Sequence, residues 1–577
     1  MNKDIYIDKS STNFDAIVVG SGITGGWAAK EFTERGLRTL IIERGPVVTH
    51  RKDYIGEYKG PWQFEHRTKV NNFLVEQQYQ VQEKCYAFND ATKHFFGNDR
   101  DLPYSTPESS PFLWIRGNQL GGKSILWHRQ SYRLSDFDFE ANKNDGIGID
   151  WPIRYKDLEQ WYSYVEKYVG ISGNKDNIEQ LPDSEYLPPF EMTSPEELIK
   201  RKIESAYNDR FLVMGRTAHL TKPTELHLQQ GRVTCQARNE CQKGCSFGAY
   251  FSTLSSTLPA AAKTGRLSIA PNSVVHSIIY DPTSKKARGV RVIDNNTLET
   301  REYFGKVVFM CASTLGTTQI MLNSTSSHFP NGIANSSGVL GHYLMDHNYG
   351  AGARGYIEGF DDEYYSGRRP TGMYMPNFQY KPSLYKKHYL RGYALGTYVG
   401  RENWQNMRFE AGIGADFKEK LTKPGKWFFG MYAQGEMLPR FENHVRLNEN
   451  KADKWGMPTL HIDCKWSKNE TDMMHDAVET IVEMMETAGI KDITKYVNYD
   501  EKPPGLAIHE VGTARMGDDP KESVLNRYNQ CHDVSNLFVT DGASYCSTGT
   551  QNPSLTFMAL TVRAVDYCIK QMNLGRI

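Results

Sequence analysis

Three cysteines fall within a single short stretch of this sequence, Cys235-Gln-Ala-Arg-Asn-Glu-Cys241-Gln-Lys-Gly-Cys245, with five residues between the first pair and three between the second. Three thiols so placed suit a disulfide with one thiol left over, a zinc site, or an iron-sulfur cluster. Zinc favours about four ligands with roughly two to four residues between paired cysteines, and no neighbouring Cys or His supplies the fourth. A cubane cluster takes about four thiolates, so three favour a 3Fe-4S form. The other cysteines, Cys85, Cys311, Cys464, Cys531, Cys546 and Cys568, are scattered and read as small buried residues. A second set of residues is glycines: Gly20-x-Gly22-x-x-Gly25, followed by the acid Glu43. Such glycines allow a tight turn and the close approach of a pyrophosphate, and the acid can accept from ribose hydroxyls. A third pattern, Gly117-x-x-x-x-Gly122-Lys123-Ser124, fits a nucleoside-triphosphate loop by its letters.

The elements around these residues separate the second pattern from the third. An apolar strand over Ala16 to Val19 runs into the glycines, a helical stretch follows, and a second strand over Thr39 to Ile42 ends at Glu43. Strand, glycines, helix, strand and acid arrive in the order a dinucleotide fold requires. The Gly117 to Ser124 segment is followed by Ile-Leu-Trp-His-Arg-Gln, unlike a long amphipathic helix, and no clear apolar run ends in a magnesium-binding Asp. A nucleotide hydrolase is therefore disfavoured. At 577 residues the chain exceeds a single core, so two domains are expected. Lys plus Arg (68) balances Asp plus Glu (68), which gives no electrostatic reason to bind nucleic acid. No apolar run approaches the roughly 18 residues of a membrane helix. The opening residues show neither an apolar export segment nor twin arginines, so the chain is expected to be cytoplasmic unless a partner exports it.

The segments "HEVGTARMG", "NLFVTDGAS" and "NPSLTFMALTVRAVD" lie between residues 509 and 566, with "LGGKSILW" and "CASTLGTTQIMLNS" upstream. Together with the glycine fingerprint they resemble the glucose-methanol-choline (GMC) family of FAD oxidoreductases over almost the whole chain. The resemblance implies a Rossmann-like α/β FAD-binding domain, discontinuous over 10–345 and 505–577. It also implies an α+β substrate domain over 346–504, whose antiparallel sheet roofs the flavin. It implies FAD contacts at Gly20, Gly22, Gly25, Glu43, Gly121, Gly122, Ser124, Asp541, Gly542, Asn552 and Pro553. His509 matches the family's base, which takes the hydroxyl proton as hydride leaves for flavin N5, and Asn552 its hydrogen-bonding partner. Lys123 and Trp127 depart from the residues many members carry, and the motif at 311 lacks the usual proline. Leu126 stands where covalent relatives have His, so the FAD is expected to be dissociable.

Within this family the spacing of Cys235, Cys241 and Cys245 is similar to that of dehydrogenases with a 3Fe-4S cluster. That likeness implies electrons passed singly to a cytochrome c-type acceptor, and, with no haem motif in the chain, the haem sits on a partner. It further implies a small companion subunit with a twin-arginine signal and hence a periplasmic location. The substrate expected is a sugar or glycoside, with glucoside 3-dehydrogenase as the nearest reaction. Gluconate 2-dehydrogenase, a pyranose-oxidase-like enzyme and a flavin lyase are the alternatives.

Finer structural expectations can be read from the pattern. Residues 60–110 and 135–230 read as irregular, cap-like insertions. "KWFFGMYAQGEM" reads as antiparallel strand, and Ser467-x-x-Glu470 opens a helix to about Gly489 with Met474, Val478, Ile481 and Met485 inward. Pro553 suits the first position of a last helix, with Leu555, Met558, Ala559, Val562 and Ile569 mostly on one face.

Overall fold

The apolar run Phe14-Asp-Ala-Ile-Val-Val forms a strand in the computed structural model, which describes residues 11–362, 370–385, 388–402, 412–499 and 501–577. The first ten residues, searched above for an export signal, lie outside them. This strand, β1 (Asn13–Val19), leads through the glycines into α1 (Ile23–Glu34) and then β2 (Thr39–Ile42). β1 and β2 pair in parallel, Ala16 opposite Thr39 and Val19 opposite Ile42. All four β2 residues are buried, as a strand covered on both faces requires.

Apart from β3 (Val213–Met214), which joins a second sheet, the next strands complete the first. β4 (Leu267–Ala270) extends it beside β2, and β5 (Ser273–Asp281) and β6 (Lys286–Asp294) form an antiparallel pair. β7 (Thr300–Met310) is divided along its length. Its first half pairs antiparallel with β6, Tyr303 opposite Val290, while its last residues lie parallel to both β1 and a late strand. Burial follows the division: Val307 to Met310 are fully enclosed, and the residues before them are mostly half-exposed.

The second sheet is antiparallel and runs β14-β8-β11-β10-β9-β3. Its members besides β3 are β8 (Ala351–Ile357), β9 (Met373–Met375), β10 (Tyr393–Arg401), β11 (Trp427–Gly435) and β14 (Lys491–Val497). A separate hairpin comprises β12 (His444–Ala452) and β13 (Pro458–Asp463). The strand expected in "KWFFGMYAQGEM" is β11. The expected capping box forms, with Ser467 N–H and Oγ both donating to Glu470 at 2.6 Å. The helix it opens, Lys468–Thr487, turns Met474, Val478, Ile481 and Met485 into the core under the sheet.

Two expectations need correction. Residues 135–230 are not simply irregular: they contain α2 (Tyr155–Val169), with Leu158, Tyr162, Val165 and Val169 buried and Gly170 closing it at φ +79. A helix over Ser194–Ala206, opened by Thr193 and Glu196, follows. Naming α3 (Thr314–Asn323), α4 (Lys468–Thr487) and α5 (Ser554–Asn573) in chain order, α2 packs along α5, where Tyr162 Oη meets Thr556 Oγ1 at 2.8 Å. The second correction concerns α5. Pro553 is its N-cap, one place before the first turn, and the helix is buried nearly all round from Leu555 to Val565, with Ile569 only half-buried. A helix wedged between α1 and α2, with Phe538 of the late strand β15 (Leu537–Val539) against its Tyr567, has little solvent face to keep polar.

The glycines at the β1–α1 turn differ in their duty. Gly20 has φ +97, a left-handed conformation that favours glycine. A Cβ at Gly25 would overlap the Gly20 carbonyl, whereas one at Gly22 would meet nothing. Gly25→Ala is therefore expected to yield misfolded, flavin-free protein, while Gly22→Ala yields folded protein with weakened flavin retention; thermal melts and flavin absorbance of the purified variants distinguish the two.

Candidate active site

The strand ends and α1 open onto a cavity of about 760 Å³ between the two sheets. Gly20 and Gly22 line it at the β1 end, and Glu43 lines it at the end of β2. Gly22 caps α1 without a side chain, so the unpaired N–H groups of the first turn face the cavity with the positive end of the helix dipole. Glu43 is buried, which raises its pKa, and its carboxylate accepts from Ser21 N–H and Oγ–H and from Gly45 N–H. Gly122 and Ser124 line the same half. Gly25 and Gly121 do not line it: Gly25 packs under Gly20, and Gly121, at φ +89, turns the chain and donates its N–H to Ser21 Oγ at 2.8 Å. Only a short 3-10 turn, Gly122–Ile125, follows Gly121, and Lys123 pairs with Glu510 at 3.2 Å, so no phosphate loop forms there.

Asp541, Gly542, Asn552 and Pro553 reach the cavity from the other side. Burial raises the Asp541 carboxyl to about 6, partly offset by Thr317 Oγ–H and Ala543 N–H.

At the far end, His509 and Asn552 meet. Asn552 Nδ2 lies 3.3 Å from His509 Nε2, and Asn552 Oδ1 is buried without a partner among the described residues. The other ring nitrogen of His509 lies 3.0 Å from Nδ1 of His347. Burial drives the His509 ring well below the usual histidine range, with His347, Lys123 and His128 adding to the effect, so it is neutral at physiological pH. The residue before it, Ile508, sits at φ +64, a strained conformation for a β-branched side chain that costs about 1–3 kcal/mol. Asp346 holds that strain in place: its carboxylate accepts from Gly505 N–H at 2.7 Å, Ala507 N–H at 3.3 Å and His509 N–H at 3.0 Å.

Above the dyad the antiparallel sheet presents one rung of alternating residues. Tyr432 stands opposite Gly396 on β10 and Gly352 on β8, and Gly352 in turn stands opposite Tyr496 on β14. A Cβ at Gly396 would overlap the Tyr432 ring, and one at Gly352 would overlap the Tyr496 hydroxyl, so the glycines make room for rings that lie against the sheet. Tyr432, Tyr496 and Tyr398 all line the cavity.

Residues 204–349 match the amino-terminal family model of the GMC oxidoreductases, and residues 439–561 match the carboxy-terminal one. The chain belongs to the GMC oxidoreductase family. It is 27% identical over 580 residues to a 2-methyl-1,2-propanediol dehydrogenase of Mycolicibacterium austroafricanum, covering 98% of this chain and 96% of the relative. It is 24% identical over 580 residues to the fructose dehydrogenase large subunit of Gluconobacter japonicus, covering 97% and 98% respectively. In fold it is similar to the solved structure of pyridoxine 4-oxidase from Mesorbium loti, with TM-score 0.58 and 14% identity over 96% of this chain and 99% of that one.

GMC oxidoreductases bind FAD, and this cavity fits it: a helix end without a side-chain cap, open space over Gly22, and buried atoms at Glu510 Oε1 and Asn552 Oδ1 that have no partner among the described residues. The cysteine triplet fits its expected group less well. All nine thiols are free, which removes the disulfide reading. Burial, then Cys241 and Cys245, raise the Cys235 thiol to about 11, and Cys241 Sγ lies 3.6 Å from His219 Nε2. Among the described residues, however, no group of three or more His, Cys, Asp or Glu side chains stands close enough to hold a metal ion. Of the six scattered cysteines, all are buried as expected, and Cys85 and Cys311 line the FAD cavity.

Asp346 and His347 escaped the sequence reading because their partners lie far along the chain, at 505–509 and 549. The only local hint is an adjacent Asp-His pair beside an apolar Leu-Met. Asp346→Leu is expected to destabilise the enzyme by about 3 kcal/mol or more, since three N–H groups, that of Gly505 buried and those of Ala507 and His509 partly so, lose their acceptor. Asp346→Asn, which keeps one carbonyl acceptor, should cost visibly less in the same thermal melts.

Proposed function

We propose that this GMC enzyme is an FAD-dependent dehydrogenase that oxidises a hydroxyl of a sugar or glycoside to a ketone, with a glucoside 3-dehydrogenase as the nearest reaction. The observation that carries the reading is the His509–Asn552 pair facing the cavity beneath a roof of tyrosines. FAD, when bound, supplies the hydride acceptor. His509 Nε2 takes the hydroxyl proton, and Asn552 Nδ2 donates to the same hydroxyl oxygen, orienting its carbon. Gly20 and Gly22 with the α1 N-terminus would hold the pyrophosphate, Gly25 would serve beneath them by leaving room for the Gly20 carbonyl, and Glu43 would hold the ribose. Gly122 and Ser124 would lie along the flavin, with Gly121 turning the chain behind them and Asp541, Gly542 and Pro553 opposite. Tyr398, Tyr432 and Tyr496 offer hydroxyls and ring faces of the kind that bind neutral polyols.

The fructose-oxidising relative, named as a large subunit, supports a sugar substrate and a chain that works with a companion. In the fuller form of the proposal, that small companion carries the twin-arginine signal, the complex is periplasmic, and electrons pass to a cytochrome c-type acceptor. Cys235, Cys241 and Cys245 would hold a 3Fe-4S cluster on the way. Support for the cluster is their spacing, their mutual electrostatic influence, and their place beside the cavity. Arg129, which lines the cavity, donates from Nη2 to both Ile125 O at 2.7 Å and Cys241 O at 2.9 Å.

Glucose, methyl glucoside, lactose and gluconate added separately and anaerobically are expected to show a neutral sugar bleaching the flavin absorbance fastest. Fastest bleaching by gluconate would move the assignment to gluconate 2-dehydrogenase, and no bleaching by any alcohol would favour a lyase. Iron and acid-labile sulfide analysis, with low-temperature EPR, should give an oxidised 3Fe-4S signal; its absence from iron-replete protein would return the three cysteines to a structural role. Acid denaturation is expected to release free FAD. Because burial and nearby cations hold His509 neutral, the acid limb of kcat/KM should lie below pH 6.5, the ordinary histidine value.

A further inference from the structure

His347 is fully buried, and both of its ring nitrogens are engaged. Nε2 lies 2.9 Å from the Gly549 carbonyl oxygen. A carbonyl oxygen only accepts, so Nε2 carries a proton. Burial pushes the His347 ring down to about 4, so it is neutral and its Nδ1 is a lone pair. The group facing that lone pair at 3.0 Å is His509 Nδ1, which must then be the donor. A neutral His509 with its proton on Nδ1 has a bare Nε2, the nitrogen that faces Asn552 and the cavity.

We infer that His347 is a positioning residue that fixes the tautomer of His509, relaying the polarity of the Gly549 carbonyl across the buried ring so that Nε2 stands ready to accept a proton. The inference rests on the reading of His509 as the base. It deepens that reading by naming what makes the base competent.

The carbonyl at the end of this relay is itself held. Gly549 is at φ +62, and its N–H donates to Glu436 Oε1 at 3.3 Å. Glu436 is in turn gripped by Arg391 Nη1 at 2.6 Å. The following amide, Thr550 N–H, donates to Gln551 Oε1 at 2.9 Å, and Gln551 Nε2 donates to Asp138 Oδ2 at 3.0 Å. The peptide that orients His347 is thus pinned on one side by the buried carboxylate of Glu436 and on the other by the Gln551 amide, itself held by Asp138.

A neutral acceptor has a different consequence from the carboxylate that serves this role in a Ser-His-Asp triad. A carboxylate stabilises an imidazolium strongly; a second imidazole orders the tautomer while giving the protonated form less support. His509 therefore keeps the right nitrogen exposed without being drawn into its charged state.

The test uses rapid-mixing, anaerobic flavin reduction of the holoenzyme by whichever of the four compounds above bleaches the wild type fastest. His347→Leu, which cannot accept from His509, is expected to slow flavin reduction by about 100-fold, while substrate affinity and FAD occupancy stay within about threefold of wild type. His347→Gln, whose amide can accept from His509 and donate to Gly549, should recover about tenfold of that loss. In a His509→Ala background, His347→Leu should change the rate by less than about twofold, because a residue that acts only through His509 has nothing left to act on.

A His347→Leu rate within about threefold of wild type would overturn the inference, as would the same full loss appearing on top of His509→Ala. If His509→Ala alone reduced at wild-type speed, the base assignment would fall, and that single variant separates the two failures. Should His347→Leu not fold, His347→Phe keeps a ring without the acceptor and takes its place under the same criteria.

Discussion

The three backbone N–H groups that converge on Asp346 are the constraint on which the rest of the site depends. They tie the loop over 505–509 to the chain leaving the amino-terminal half, next to the antiparallel contact of Met345 with Val511. Without that tie, Ile508 has no reason to stay in a left-handed conformation, and His509 has no fixed place above the cavity. Burial and the nearby Glu510 push the Asp346 carboxyl up to about 7, while the N–H donors act against them. An acceptor is thereby kept where charge costs most in solvation, because three donors need it.

The same buried setting governs the chemistry. Both His347 and His509 are driven toward their neutral forms by loss of water, and among the described residues neither ring hydrogen-bonds to a carboxylate. Selection among neutral tautomers then falls to geometry, and the acceptor that decides it is a main-chain oxygen. Main-chain polarity cannot be titrated, so the orientation it imposes persists down to about pH 4, where the His347 ring itself takes a proton and loses the lone pair that faces His509.

Much of this was legible in the sequence, and its limits have physical causes. The β1–α1–β2 unit was readable because all its determinants lie within about thirty residues and each carries a local steric or dipolar duty. The pairing of His509 with Asn552 followed from likeness of motif. The tyrosine roof did not, because Tyr432, Gly352 and Tyr496 meet only once three strands are in register. α2 was missed although Leu158, Tyr162, Val165 and Val169 mark one helical face, because its many aromatic residues drew the eye to composition instead of period. α5 was read as one-faced since a sequence does not say how many neighbours a helix will have. The cysteine triplet marks a different limit: spacing along a chain does not fix how thiols are arranged around a centre.

The divided strand β7 has a consequence for how this molecule comes to exist. Its last residues wait for β15, with Val308 pairing to Leu537, and α1 waits for α5 to cover it. The nucleotide-binding end of the chain is made first, yet its sheet and its helical layer are closed by segments made hundreds of residues later. Contacts of such long range slow folding, and they leave the emerging β1–β7 edge exposed throughout synthesis. Cofactor capture is consequently a late event, tied to arrival of the same segment that brings His509 and Asn552, so a chain interrupted before that point is neither loaded nor reactive.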